Sequence, residues 1–129
     1  MSCLKNIISD SVGGALNTLF SSVCGHNPHA TLSQKEDLFF KCIYELLLSE
    51  KVKFIRFGAD CYSSPDNPKP SLTIDDENAI WNDSPEVIVG KIRSLWPRNI
   101  VDEDDPELIF YLIGTLPGII WYDENGNVI

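Results

Sequence analysis

Three side chains able to bind a soft metal fall within six residues: Cys24, His26 and His29, in the run CGHNPH. Zinc takes four tetrahedral ligands, and closed structural sites usually draw them from paired spacings. This run supplies three, and a fourth needs Cys42 or Cys61 brought in from elsewhere. An exposed loop with two histidines is the plainer reading, so no metal ligand is assigned. The run Asp102-Glu103-Asp104-Asp105 is no better as a calcium loop. Such a loop needs spaced oxygen ligands, a glycine and a distal glutamate, and here Pro106 follows at once. Both it and Asp123-Glu124-Asn125-Gly126-Asn127 read as capping and turn chemistry. The chain contains no GxSxG, HExxH, phosphate-loop or dinucleotide fingerprint. No catalytic residue and no cofactor are therefore expected, and the chain reads as a non-enzyme.

The acids are more informative through their distribution. The formal net charge is −9, yet residues 1–65 carry six acids and six bases. Residues 66–129 carry thirteen acids against four bases, so the whole excess lies in the second half. Such a field repels nucleic acid and anionic membrane and steers basic partners, although acidity also serves plain solubility. Trp81 stands among Asp75, Asp76, Glu77 and Asp83, and an aromatic anchor inside a charged field is what tight protein contacts use. The same tryptophan can equally be a core residue under a loop. The candidate partner-binding set is Asp75, Asp76, Glu77, Trp81, Asp83, Asp102, Glu103, Asp104 and Asp105.

The elements that must position these residues follow from periodicity and caps. At 129 residues the chain reads as a single domain, residues 1–129, able to bury roughly two-thirds of its unfolded surface. Residues 3–23 place an apolar face on a helical period, with Gly13-Gly14 as a candidate bend or close helix crossing and Gly25 as the end. Ser33-Gln34-Lys35-Glu36 matches a capping box, opening a central helix that runs to Leu48. Residues 51–57 and 71–74 read as strands, with the turn-rich stretch 59–70 between them. Ser84-Pro85-Glu86 starts a helix with Ile88, Val89, Ile92, Leu95 and Trp96 on its core side, stopped by Pro97. Asp104 or Asp105, with Pro106 and Glu107, starts another helix. The unbroken apolar run 108–113 predicts burial on all sides as a helix, with Gly114 as a left-handed stop, while a strand is the alternative reading of the same run. Residues 118–122 read as a strand, and Asn125-Gly126 predicts a type I′ turn into a short return strand at 127–129. The four cysteines, Cys3, Cys24, Cys42 and Cys61, form no CxxC pair. No apolar run reaches the ~18 residues of a membrane span, and the N-terminal stretch lacks the apolar region of a signal peptide. A cytoplasmic location is expected.

The order of these features resembles a family of small bacterial immunity-type proteins found with contact-dependent growth inhibition (polymorphic toxin) systems. The resemblance is carried by Glu36-Asp37-Leu38-Phe39-Phe40 with Leu46-Leu47-Leu48, by Lys53-Phe54-Ile55, and by Val89 through Trp96-Pro97. Its most distinctive part is Leu116-Pro117-Gly118-Ile119-Ile120-Trp121 followed by Asp123-Glu124-Asn125-Gly126. It covers roughly residues 34–129; Leu116 stands where a cysteine is expected, and 59–78 reads as an insertion. The expected fold is α+β, about four helices on a small, mostly antiparallel sheet. The function implied by the resemblance is an immunity protein, a monomer in a 1:1 complex with a cognate toxin domain, blocking the basic active-site surface of a nuclease-type effector. Neither nucleic acid nor membrane is expected as a partner. The alternatives are a metal-dependent regulator or small enzyme using Cys24, His26 and His29, and an acidic adaptor.

Overall fold

The computed structural model describes residues 4–57, 59, 64–72 and 76–129. The fold is α+β: five α-helices and a two-stranded antiparallel sheet among the described residues. Its centre is α3 (Leu32–Leu48), whose inward side carries Leu38, Phe39, Cys42, Ile43 and Leu46, all buried. That spacing is one helical stripe. Against it pack α2 (Leu16–His26), α4 (Pro85–Ser94) and strand β1 (Val52–Phe54).

The central helix starts two residues earlier than the Ser33–Glu36 box predicts. Thr31 is extended at φ −70° and ψ 161°, its hydroxyl accepts from the Gln34 amide at 3.1 Å, and the Gln34 side chain accepts from the Thr31 amide at 2.9 Å. The box is thus Thr31–Gln34, and Ser33 already lies inside the first turn. Glu36 is turned instead toward Trp96, whose indole N–H donates to it at 3.0 Å. The other end of α3 closes at Glu50, which is left-handed at φ 58°, while the Lys51 amide reaches back to the Leu46 carbonyl at 3.0 Å. This is the backbone pattern that usually employs glycine.

The helix expected over 3–23 is two: α1 (Leu4–Ser9) and α2, which runs through Gly25 to His26. The glycine pair does mark a bend. Gly13 sits at φ 81°, and a Cβ on Gly14 would come within 2.8 Å of Thr18. The Gly14 carbonyl, freed from helix bonding, accepts the Trp121 indole N–H at 2.7 Å.

Strand β2 (Ile119–Trp121) pairs with β1 in the register Val52↔Trp121, Lys53↔Ile120, Phe54↔Ile119. The two-residue period divides the faces. Val52, Phe54 and Trp121 join the main helical core, whereas Ile55 and Ile120 form a second cluster with Ala59 and Ala79. The expected third strand at 71–74 falls partly outside the described residues. Ser71 and Leu72 are not strand, and Thr73 and Ile74 lie outside the described residues. The segment lying along β1 is 79–81, with an antiparallel bridge Ile55↔Ile80 and the Trp81 amide bonded to the Phe54 carbonyl at 2.9 Å. The final turn is also not type I′. Of Asn125 and Gly126, only Gly126 has positive φ, and the Asp123 carboxylate takes the Asn125 and Asn127 amides at 2.9 Å each. A longer loop closed by one left-handed glycine results, ending in the Tyr122↔Val128 bridge.

Helix α4 ends at Ser94, so Leu95, expected on the core side, is 39% exposed. Helix α5 (Pro106–Phe110) is capped by Asp105 and continues as a π-turn, Tyr111–Thr115, closed by the Leu116 amide on the Tyr111 carbonyl at 3.1 Å. Gly114 is not left-handed, so the chain leaves this segment through a wide turn rather than a glycine stop. The expectation of burial on all sides fails here. Leu108, Tyr111 and Leu112 are buried, but Phe110 is 73% and Ile113 64% exposed.

Two stability predictions follow from the ends of α3. Thr31→Ala is expected to cost about 1 kcal/mol and Ser33→Ala less than about 0.5 kcal/mol, read from urea midpoints at constant m-value. Equal losses would return the cap to Ser33. Glu50→Gly is expected to stabilise by ~0.5–1 kcal/mol, because it removes the left-handed penalty at that residue.

Candidate functional site

The acids singled out from the sequence fall into two separate groups. The first surrounds a single-turn 3-10 helix (Glu77–Ala79) at the edge of β1. Asp75 lies outside the described residues. Asp76 caps that turn, its carboxylate accepting the Asn78 amide at 2.9 Å, while Glu77 is exposed. Trp81 is half-buried and packs on the main core, with its ring 5.3 Å from that of Phe57. Its indole N–H donates to Asp83 at 2.7 Å. Arg56, Phe57, Val87 and Lys91 line a cavity of about 290 Å³ with Trp81 and Asp83. Two cations therefore share this corner with the tryptophan, a mixture the local sequence around Trp81 does not show.

The second group, 102–105, precedes α5. Asp102 accepts the Asp104 amide at 2.9 Å, and Asp105 accepts the Glu107 amide at 3.0 Å as helix cap. Glu103 faces inward and pairs with Lys35, a lysine only 5% exposed on the first turn of α3. No hydrogen bond or ion pair among the described residues joins this group to Asp76–Asp83. Caps at Asp76, Asp102 and Asp105 and the pair at Glu103 engage much of the set in holding the chain. Glu77 and Asp104 make no side-chain hydrogen bond or ion pair with any described residue and are the acids most open to a partner.

The Cys24, His26 and His29 side chains are not assembled into one site. His26 lies 2.6 Å from the Asp10 carboxylate near the α1–α2 break, and His29 is exposed. The Cys24 thiol lies beside Glu103 and Lys35. Burial pushes it up to about 12, with the negative charge of Glu103 acting in the same direction, so it stays protonated at neutral pH. Burial does the same to Cys42. Among the described residues no group of three or more His, Cys, Asp or Glu side chains is placed to hold a metal ion.

Sequence reading missed the apolar surface beside the second acidic group. Leu95, Pro97, Pro106, Glu107, Phe110, Tyr111 and Thr115 line an open groove of about 570 Å³. A signal was present. Glu107 fixes an outward face of α5, and Phe110 and Gly114 fall three and seven residues on, along that same face.

No family model matches this chain, and no curated protein does. A solved structure is similar. It is an uncharacterised protein conserved in bacteria, from Neisseria meningitidis, 18% identical with a TM-score of 0.68 over 98% of this chain and 84% of that one. The likeness is one of fold. Among the described residues no helix is long and apolar enough to cross a membrane.

The Lys35–Glu103 pair makes a testable pH signature. The hydrogen bond from Lys35 holds Glu103 below its ordinary value of 4.5, and the same bond raises Lys35 above 10.5. Stability from Glu103 is full above its unfolded value and is lost as pH falls through the lower folded one. Stability from Lys35 is full below its unfolded value and is lost as pH rises through the higher folded one. Glu103→Gln is expected to cost about 1–2 kcal/mol at neutral pH, with the difference from wild type shrinking in acid. Chemical denaturation across pH measures this, and a difference that persists unchanged in acid would remove the ion pair as its cause.

Proposed function

We propose that this chain is an immunity protein that acts in the cytoplasm, binding a cognate toxin domain and covering the basic surface through which that domain engages its substrate. The observation that carries this reading is the segregation of charge. A chain neutral over residues 1–65 places thirteen acids against four bases in residues 66–129. On the folded surface Glu77, Asp83, Asp102, Asp104 and Glu107 are all exposed. A nuclease must present cations to its phosphate backbone, so an acidic surface of this kind is steered onto it and competes with the nucleic acid. The order of core and turn residues shared with immunity-type proteins supports the same reading by analogy.

The deciding experiment is co-expression with the C-terminal part of the protein encoded immediately upstream. Restored growth together with 1:1 co-purification is the expected result. An upstream product that is harmless alone, or stays toxic beside this chain, would leave the acidic adaptor as the better reading. Within a working pair, Glu77→Lys with Asp104→Lys is expected to slow association about tenfold at low salt and flatten its salt dependence. Those two positions are preferred to Asp102 and Asp105, where reversal would also destroy a cap. Unchanged association kinetics would exclude both from the interface.

A further inference from the structure

We propose that the groove between the end of α4 and the α5–π-turn segment is the anchoring site of this interface. Its occupant is a segment of a basic partner protein that presents apolar side chains flanked by lysine or arginine. The proposal rests on the immunity reading and deepens it by naming the contact.

Three observations combine. The first is exposed apolar surface gathered in one place: Leu95, Pro97, Pro106 and Phe110 line the same 570 Å³ groove, and Ile113 follows Phe110 at helical spacing. Single exposed apolar residues are ordinary on a protein surface, whereas a groove built from them marks a binding site. Phe110 in particular has little of its own fold to lie on. Its ring passes 3.6 Å from the position a Gly114 Cβ would occupy, and the ring is otherwise open.

The second observation is a floor already held in place. Tyr111 lines the groove while its hydroxyl donates to the Ile92 carbonyl at 2.7 Å and its ring meets Trp96 at 5.5 Å. A surface fixed before binding loses little entropy when it is covered, and exposed aromatics over such a floor are where binding energy concentrates.

The third is charge. Glu107 lines the groove, and the chain that forms it, residues 97–115, carries five acids against one base, Arg98, with Asp102 and Asp104 exposed. An apolar groove that carries a carboxylate and lies on an acidic segment selects apolar residues flanked by cations. A second copy of this chain would bring the same acidic segment and a further net charge of −9, so self-association is opposed.

The test uses the full chain and the variant Phe110→Ser/Ile113→Ser, whose substituted residues are exposed and leave the core intact. The probe is a fluorescein-labelled amphipathic leucine–lysine peptide, with a same-composition scrambled peptide as control, titrated at low and high salt. The amphipathic peptide is expected to bind the wild type and to bind the variant at least about tenfold more weakly. Equal binding to wild type and variant would overturn the groove, and so would equal binding of the scrambled peptide. Wild type that dimerises by light scattering, with a monomeric variant, would make a second copy the occupant and overturn the proposal. Co-expression separates the two levels. A variant that protects cells as well as wild type sinks the groove and leaves the immunity reading standing. A wild type that fails to protect sinks the immunity reading, and the peptide titration then decides the groove alone.

Discussion

The Trp96 indole lies within 6 Å, centroid to centroid, of the rings of Phe20, Phe39, Phe40 and Tyr111, at 5.8, 5.7, 5.1 and 5.5 Å. Those rings belong to α2, α3 and the π-turn, and Trp96 itself follows α4, so one side chain ties the helical layer together. Its N–H bonds Glu36, whose carboxyl is raised by burial even though that hydrogen bond works to lower it. Tyr111 adds a second tie to α4 through the Ile92 carbonyl. Aromatic pairs at these distances add ~0.5–1.5 kcal/mol each beyond area burial. The cluster also sets the floor of the open groove, because Tyr111 faces both ways. The rigid part of the molecule and its most exposed apolar surface are therefore built from the same segment.

The acidic half of the chain is stable because much of its charge has local work. Asp76, Asp102 and Asp105 accept backbone amides, Glu103 meets a nearly buried lysine, and Glu86 accepts the Tyr44 hydroxyl at 3.0 Å. Carboxylates used this way relieve unsatisfied backbone donors at turns and helix starts. What remains exposed is a smaller set, Glu77 and Asp104 foremost, and these can serve recognition without a cost to the fold. Structure and surface thus divide one compositional feature between them.

The sheet shows a comparable economy. Only three residue pairs join β1 to β2, too little to stand alone, so the layer depends on helices covering one face and the 79–80 segment bridging the other side. The Trp121 bond to the Gly14 carbonyl links the last strand to the break between the first two helices. That contact spans almost the whole chain and holds in place the bend that Gly13, at positive φ, permits.

By itself the sequence determined the class of fold, the α3 and α4 helices, the cap at Ser84, a helix start at Asp104 or Asp105, an interruption at Gly13-Gly14 and the concentration of charge after residue 65. These are legible because caps, periods and turn residues act within one or two turns of backbone. Tertiary structure decided the rest. It chose Thr31 over Ser33 as cap, since Glu36 was claimed by Trp96, a residue sixty positions away. It placed 79–81 along β1, a segment whose composition does not mark it as a strand, because short strands are selected by pairing partners rather than by composition. It turned Phe110 and Ile113 outward from a run that is apolar on every side. A sequence of that kind has no polar face to break the tie, and only the position of α2 and α4 settles which side is covered.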